Sequence, residues 1–226
     1  AVGVQGLAVA EASYQNSVAY ARERLQGRAP RGPLHPEKPA DPIIVHPDVR
    51  RMLMTQRALV EGCRMLALEA ARQLDISERH TGMADRQHAD ALVALLTPVV
   101  KAFLTDCGSE VANLGMQVLG GHGFIRDNGQ EQYVRDARIT QIYEGTNGVQ
   151  AMDFLGRKVL MDGGKVLDNY LKPLEVAVMT GKIDQRLVEF ASHVEATLRL
   201  LRDATNVLGA KALANPEEMG AAAVDF

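Results

Sequence analysis

The chain has 226 residues, 46% apolar and 23% charged, enough to bury a substantial core in one large domain or two small ones. Its net charge is −3, with acidic and basic residues interspersed, so there is no broad cationic field and nucleic acid is not an expected partner. Aromatics make up only 4% and Trp is absent; the Ala, Leu, Val and Met that dominate suit helix–helix packing, so an all-α fold is expected. Cys63 and Cys107 lack metal-ligand spacing and fit a reduced, intracellular setting. No unbroken run of ~18 apolar residues occurs and the start lacks the positive flank of a signal peptide, which predicts a cytoplasmic protein with no membrane span. Ala1 lies inside a helical pattern with no Met before it, as expected of a C-terminal piece of a larger protein.

Val4, Leu7, Ala8, Glu11, Tyr14, Val18 and Ala21 recur at spacings of three and four, predicting an amphipathic helix over 2–25 that ends at Gly27. Residues 28–42 hold five prolines in fifteen residues, which forbids helix and central strand and predicts an extended surface loop. Pro47 suits the first turn of a second helix, whose apolar face runs from Val49 to about Leu74. Ser77–Thr81 is a polar connection, and 85–119 a third long helix with a bend expected at Pro98. A short helix over 130–136 leads into 139–143, and Thr146 or its neighbour caps a fourth helix to Lys158. Two further helical patterns, 166–179 and 183–213, are separated by Thr180-Gly181 and read as a terminal hairpin; the tail after Asn215-Pro216 is expected to fray. The predicted architecture is an antiparallel four-helix bundle with an added C-terminal helical hairpin.

Two motifs carry chemistry. Gln117-Val118-Leu119-Gly120-Gly121-His122-Gly123-Phe124 pairs a helix end with glycines that let a planar or phosphorylated ligand approach the backbone. Ile142-Tyr143-Glu144-Gly145-Thr146 presents a single carboxylate in a tight turn at a helix start, the placing of a base. Each has a plainer reading: a helix C-cap for the first, an early-turn acid favoured by the helix dipole for the second. Arg24 could equally be a solvated helix-end residue, and Arg135-Asp136 reads as a structural ion pair. His46 and His122 have no partner at metal spacing, so no metal site is expected.

In this order and at this spacing, with Tyr133-Val134-Arg135-Asp136-Ala137-Arg138 between them, the two motifs resemble the C-terminal signature of the acyl-CoA dehydrogenases. Ala19-Tyr20-Ala21-Arg22-Glu23-Arg24-Leu25-Gln26-Gly27 resembles the family's helix end running Tyr-Ala, then Arg, then Gln-Phe-Gly, with the Phe missing. Val45-His46-Pro47 stands where the family often has His-Gln, and Gly148 replaces a frequent Gln; these three departures bear on flavin contacts. The pattern can be followed to about Lys158, interrupted by an insertion at 28–44. Residues 1–160 are thus expected to form the family's C-terminal bundle domain, without the N-terminal and β-domains. The extension 161–226 resembles the longer-tailed members, such as the methylmercaptopropionyl-CoA dehydrogenases.

The resemblance implies α,β-desaturation of an acyl-CoA thioester, with Glu144 removing the α-proton and FAD accepting the β-hydride. A carboxylate with an ordinary pKa near ~4.3 is too weak for this alone, so water exclusion and donors to the thioester oxygen must assist. In the family one donor is the backbone N–H of the base, here Glu144. Tyr143 and Gly145 would line the substrate. Arg24 would meet the FAD pyrophosphate, with Gln26 nearby; Gln117, Gly120 and Gly121 would meet its adenosine end and Thr146 a phosphate or ribityl group. The first two act on the facing subunit's FAD in the family, implying a homo-oligomer, with an electron-transferring flavoprotein as redox partner. The fragment itself is expected to carry no FAD and not to turn over. The alternatives are a flavin-dependent acyl-CoA oxidase, or a helical module serving chiefly oligomerisation with 163–213 as its binding hairpin.

Overall fold

The structure, a computed structural model, describes residues 1–226 and contains no sheet, only an isolated antiparallel bridge between Leu25 and Pro42. The all-α expectation holds. Its helices are α1 (Val2–Glu23), α2 (Pro47–Arg79), α3 (Met83–Leu119), α4 (Gly121–Phe124), α5 (Gln130–Thr140), α6 (Asn147–Met152), α7 (Lys165–Gly181), α8 (Val188–Ala214) and α9 (Pro216–Ala222). Contacts divide the chain into one unit of residues 1–69 with 100–146, and another of residues 70–99 with 147–226.

In the first unit α1 runs antiparallel to α2 and parallel to α3. Glu11 pairs with Arg64 at 2.5 Å, and Ala21 packs with Met52 and Leu53, so numbers rise along α1 as they fall along α2. Along α3 they rise together: Gly6 lies against Leu104, and Ser13 donates to the Val111 carbonyl. Glycine permits this approach, since a Cβ on Gly6 would sit 2.7 Å from the Leu104 oxygen and one on Gly108 would sit 2.8 Å from the Gly6 oxygen. Around that contact Leu7, Ala10, Val60, Cys63, Leu104, Cys107 and Val111 form a buried core. Each fully buried Leu or Val there contributes roughly 1.5–3 kcal/mol. The two thiols are free, buried and hydrogen-bonded to each other; that bond and burial push the Cys107 pKa up, so Cys107 stays a neutral thiol of the core.

A buried polar cluster fixes α5 across α1 and α3. The Gln130 amide donates to Ser13 Oγ at 2.7 Å, its oxygen accepts from Asn16 at 2.8 Å, and Ser17 Oγ donates to the Ser13 carbonyl at 2.7 Å. Gln130, Ser13 and Ser17 are all buried, so leaving one partner unmet would cost about 1–3 kcal/mol. The proline-rich loop is ordered by one residue, Asp41. Its buried carboxylate accepts from the backbone N–H of Ala29 at 2.9 Å, Leu34 at 3.1 Å and His35 at 2.8 Å, with the Arg28 guanidinium at 3.5 Å. Burial pushes its pKa up, but the three donors and Arg28 outweigh it and hold the value at about 2.

The second unit holds the core Leu95, Val159, Leu167, Leu171, Val178, Ala191 and Leu198. Its fourth bundle helix is not uniformly α-helical: after α6 the chain widens to a π-helix over Asp153–Leu160, continued by Met161 N–H to Gly156 O at 3.1 Å. Several boundaries differ from expectation. Helix α2 continues through the polar stretch to Arg79, because Glu78 and Arg79 are good helix formers and an exposed end needs no apolar face. Helix α8 begins at Val188 rather than 183, since Asp184 caps the preceding turn through the Arg186 N–H at 2.9 Å. The tail forms α9, with Asn215 accepting from the Glu217 N–H at 3.1 Å and Pro216 at the first position. Helix α3 runs unbroken through Pro98; it is long and apolar enough to cross a membrane by those two measures, but half of its most apolar stretch is buried, as in a core helix.

Candidate active site

The turn between α5 and α6 is built around a strained carboxylate. Glu144 has φ 54° and is the one non-glycine residue of the chain with positive φ; Gly145 follows at φ 84°. A left-handed conformation costs a side-chain-bearing residue roughly 1–2 kcal/mol and persists only where its surroundings impose it. Here they do. Gln141 donates to Asp106 of α3 at 2.5 Å and accepts from Arg138 at 2.7 Å, the Tyr143 N–H reaches the Ile139 carbonyl at 3.2 Å, and the Tyr143 hydroxyl donates to the Gln5 side chain of α1. The turn is thereby fixed to α1, α3 and α5 at once. Glu144 is exposed, and neither its carboxylate nor its backbone N–H has a hydrogen-bond partner within the chain. Acceptor and donor on one residue are both left for something else.

Glu144 lines neither of two recesses, of about 870 and 520 Å³. One of these, about 520 Å³, is formed by Asn113, Met116, Gln117, Gly120, Gly121 and Phe124. Sequence reasoning named Gln117, Gly120 and Gly121 together, and they do share one surface. The three glycines of this turn differ in what they answer to. Gly120 has φ 61°, and a Cβ on Gly123 would lie 2.7 Å from the Met116 carbonyl, so both are required by the fold. Gly121 has neither a positive φ nor a neighbour within 4 Å of a Cβ. Its missing side chain leaves an open cradle in the recess, which suits close approach of a ligand to the backbone. A nucleoside fits a recess of this size.

Arg24 caps the C-terminal end of α1, and its carbonyl accepts from the Ile43 N–H at 2.8 Å. Gln26 follows in the short extended stretch, its N–H on the Asp41 carbonyl at 2.9 Å and its own carbonyl accepting from His46 Nε2 at 2.8 Å. Both side chains are exposed. His46 is therefore tied to backbone, and no cluster with the makings of a metal site exists in the chain. Thr146, exposed, stands two residues past Glu144 at the mouth of α6. Asp136 accepts from Gln132 at 2.7 Å instead of pairing with Arg135, because adjacent helical residues point apart.

The sequence-named residues thus fall into two groups at opposite ends of α1. Tyr143, Glu144, Gly145 and Thr146 are anchored near Gln5; the glycine turn is anchored at Tyr20, whose hydroxyl lies 2.6 Å from His122 Nδ1, and Arg24 and Gln26 follow just beyond. The fifteen residues from Gln5 to Tyr20 make a rise of about 22 Å. The Tyr20–His122 contact was not foreseen, since the partners are 102 positions apart and neither belongs to a recognisable pair by spacing.

A family model described as acyl-CoA dehydrogenase, C-terminal domain, matches residues 1–160. The chain is 52% identical to 3-methylmercaptopropionyl-CoA dehydrogenase of Ruegeria pomeroyi, over 88% of this chain and 34% of that protein. It is 37% identical to a broad-specificity linear acyl-CoA dehydrogenase of Mycobacterium tuberculosis, over 82% of this chain and 31% of the relative. Among solved structures, Caenorhabditis elegans ACDH-11 in complex with C11-CoA superposes with a TM-score of 0.76 at 22% identity, over 95% of this chain and 33% of that one, a likeness of fold. The chain therefore spans about a third of the length of these relatives. With the family's C-terminal domain matched over residues 1–160 and a relative 52% identical over 88% of the chain, this chain belongs to the acyl-CoA dehydrogenase family, as its C-terminal helical domain.

Proposed function

We propose that the chain is the C-terminal part of an FAD-dependent enzyme that desaturates an acyl-CoA thioester between its α and β carbons, with Glu144 as the base. The observation that carries this is the left-handed Glu144, held against its own conformational preference with both its carboxylate and its N–H unengaged. The carboxylate takes the α-proton. The electrons of that C–H bond become the new double bond as hydrogen leaves the β carbon as hydride, for which FAD supplies the acceptor when bound. The Glu144 N–H points to the second requirement, a donor to the thioester oxygen as charge builds on it, a contribution commonly of ~3 kcal/mol. Tyr143 and Gly145 border the acyl chain on either side. Water must be kept from this exposed turn, a task for the two thirds of the relatives' length that this chain does not span.

For the cofactor, Gln117, Gly120 and Gly121 fit an adenosine, with Gly121 as the cradle; Arg24 fits the pyrophosphate through a bidentate guanidinium, Gln26 lies beside it, and Thr146 serves the phosphate or ribityl side near the base. The family resemblance implies that one chain serves two flavins, giving a base to one and nucleotide contacts to its neighbour, and the placing of the two groups at opposite ends of α1 is in keeping with it. A homo-oligomer follows, with an electron-transferring flavoprotein as electron acceptor. Replacing Glu144 with Gln in the full-length protein should abolish bleaching of the flavin by acyl-CoA; normal bleaching in that variant would remove the mechanism.

One observation favours an association role for the extension as well. Met179, Ile183 and Phe190, around the α7–α8 turn, are 70%, 84% and 66% exposed, an apolar patch of the kind that marks contact surfaces. Changing Ile183 and Phe190 together to Glu in the full-length protein should lower its sedimentation coefficient; an unchanged assembly excludes the patch from the subunit interface.

A further inference from the structure

We infer that the Tyr20–His122 contact is a positioning device that holds the glycine turn in shape for the nucleotide end of the cofactor, an inference that rests on the acyl-CoA dehydrogenase reading above. The turn Gly120–Gly123 carries three glycines, so its backbone loses more freedom on ordering than four residues with side chains would. His122 is the only residue in it with a side chain, and hence the only lateral handle. That handle is taken: the Tyr20 hydroxyl lies 2.6 Å from His122 Nδ1, and the two rings meet edge to face, centroids 6.0 Å apart at 84°.

The rest of the turn is held through its backbone. The Gly120 N–H reaches the Gln117 carbonyl at 3.1 Å, the Gly123 N–H reaches the Gly120 carbonyl at 2.9 Å, and the His122 carbonyl accepts from the Asn128 amide at 2.8 Å. These bonds set the local curl. The imidazole ties the curl sideways to α1. Phe124, which follows, is 77% exposed and forms part of the wall of the recess. The tie also has a direction. Tyr20 stands one helical turn before Arg24, whose N–H donates to the Tyr20 carbonyl at 2.8 Å, so the contact ties the glycine turn to the end of α1 that carries Arg24. Ordering this surface before the ligand arrives removes an entropic cost from binding. Tyr20 and His122 themselves touch neither the acyl group nor the reacting carbon in this arrangement; they act through Gly120, Gly121 and Gln117.

The test is a double-mutant cycle on FAD affinity in the full-length enzyme, with flavin-free protein titrated by fluorescence. Tyr20→Phe and His122→Ala should each raise the FAD dissociation constant about tenfold, the loss of one hydrogen bond. The double variant should bind no more weakly than the poorer single one. His122→Asn places an oxygen where Nδ1 stands and should recover most of the affinity, which a general loss of packing would not allow. With FAD saturating, kcat should stay within about twofold of the parent in every variant. Unchanged affinity in both single variants, or losses that add in the double variant, would overturn the positioning role while leaving the enzyme assignment standing. A full-length parent protein that binds no FAD at all would overturn both.

Discussion

Two carboxylates in the first unit, Asp41 and Glu144, show how differently one chemical group can be used. Asp41 is fully buried and every orientation question about it is answered inside the chain, by three backbone N–H groups and Arg28. Glu144 is exposed, sits in a conformation that its own Cβ disfavours, and has its carboxylate and N–H both open. The first spends its hydrogen-bonding capacity on order. The second costs order and keeps its capacity for a ligand, the signature of a site that stability alone would not select.

That contrast can be broken at several points. The largest effect is expected at Glu144 in the full-length enzyme, where Glu144→Gln should lower kcat/KM by ~10² to 10⁴, the usual reach of a general base, with little change in melting temperature. Next is Asp41→Ala, which strands three backbone donors, of which that of Ala29 is buried, and should lower the melting temperature by about 5 °C while leaving turnover intact. Acid provides the same test without mutation. The folded-state pKa of Asp41 lies below its ordinary 3.8, at about 2, so its stabilisation is complete above pH 3.8 and is lost as pH falls from there through 2. Amide protection factors at Ala29 and His35, corrected for intrinsic exchange, should fall over that window as pH is lowered, and in Asp41→Asn they should show no such step. The smallest effect is the most pointed: Glu144→Gly relieves the left-handed strain and should leave stability equal or higher by up to ~1 kcal/mol while ending turnover. A clear loss of stability there would mean that the side chain has a structural role after all.

Much of this was readable from the residues. Apolar spacing located α1 and α3 to within about two residues, and the five prolines announced the loop of residues 28–42. Failures came where a signal was local but the outcome was not. Ser77–Arg79 looked like a connection because it is polar, yet polarity on an exposed helix end is no obstacle to helix. Nothing in the sequence between Asp153 and Leu160 distinguishes a π-helix from an α-helix, since the apolar residues Leu155 and Val159 are spaced to serve either. The site shows the same division. Glu144 and the glycine turn stood out as motifs, and Gln117, Gly120 and Gly121 were named as one surface. The left-handed backbone of Glu144 was hidden behind Gly145, which would ordinarily be the residue to take positive φ. Asp41 carries no motif in the sequence, because its value lies in three donors that converge only once the loop closes.

The claim on which the account turns is that Glu144 removes the α-proton. It is tested most directly by incubating the full-length enzyme in D₂O with an acyl-CoA analogue that cannot release a β-hydride and following the α-hydrogen by NMR. The parent should exchange that hydrogen for deuterium and the Glu144→Gln variant should not. Exchange at the parental rate in the variant would contradict the account.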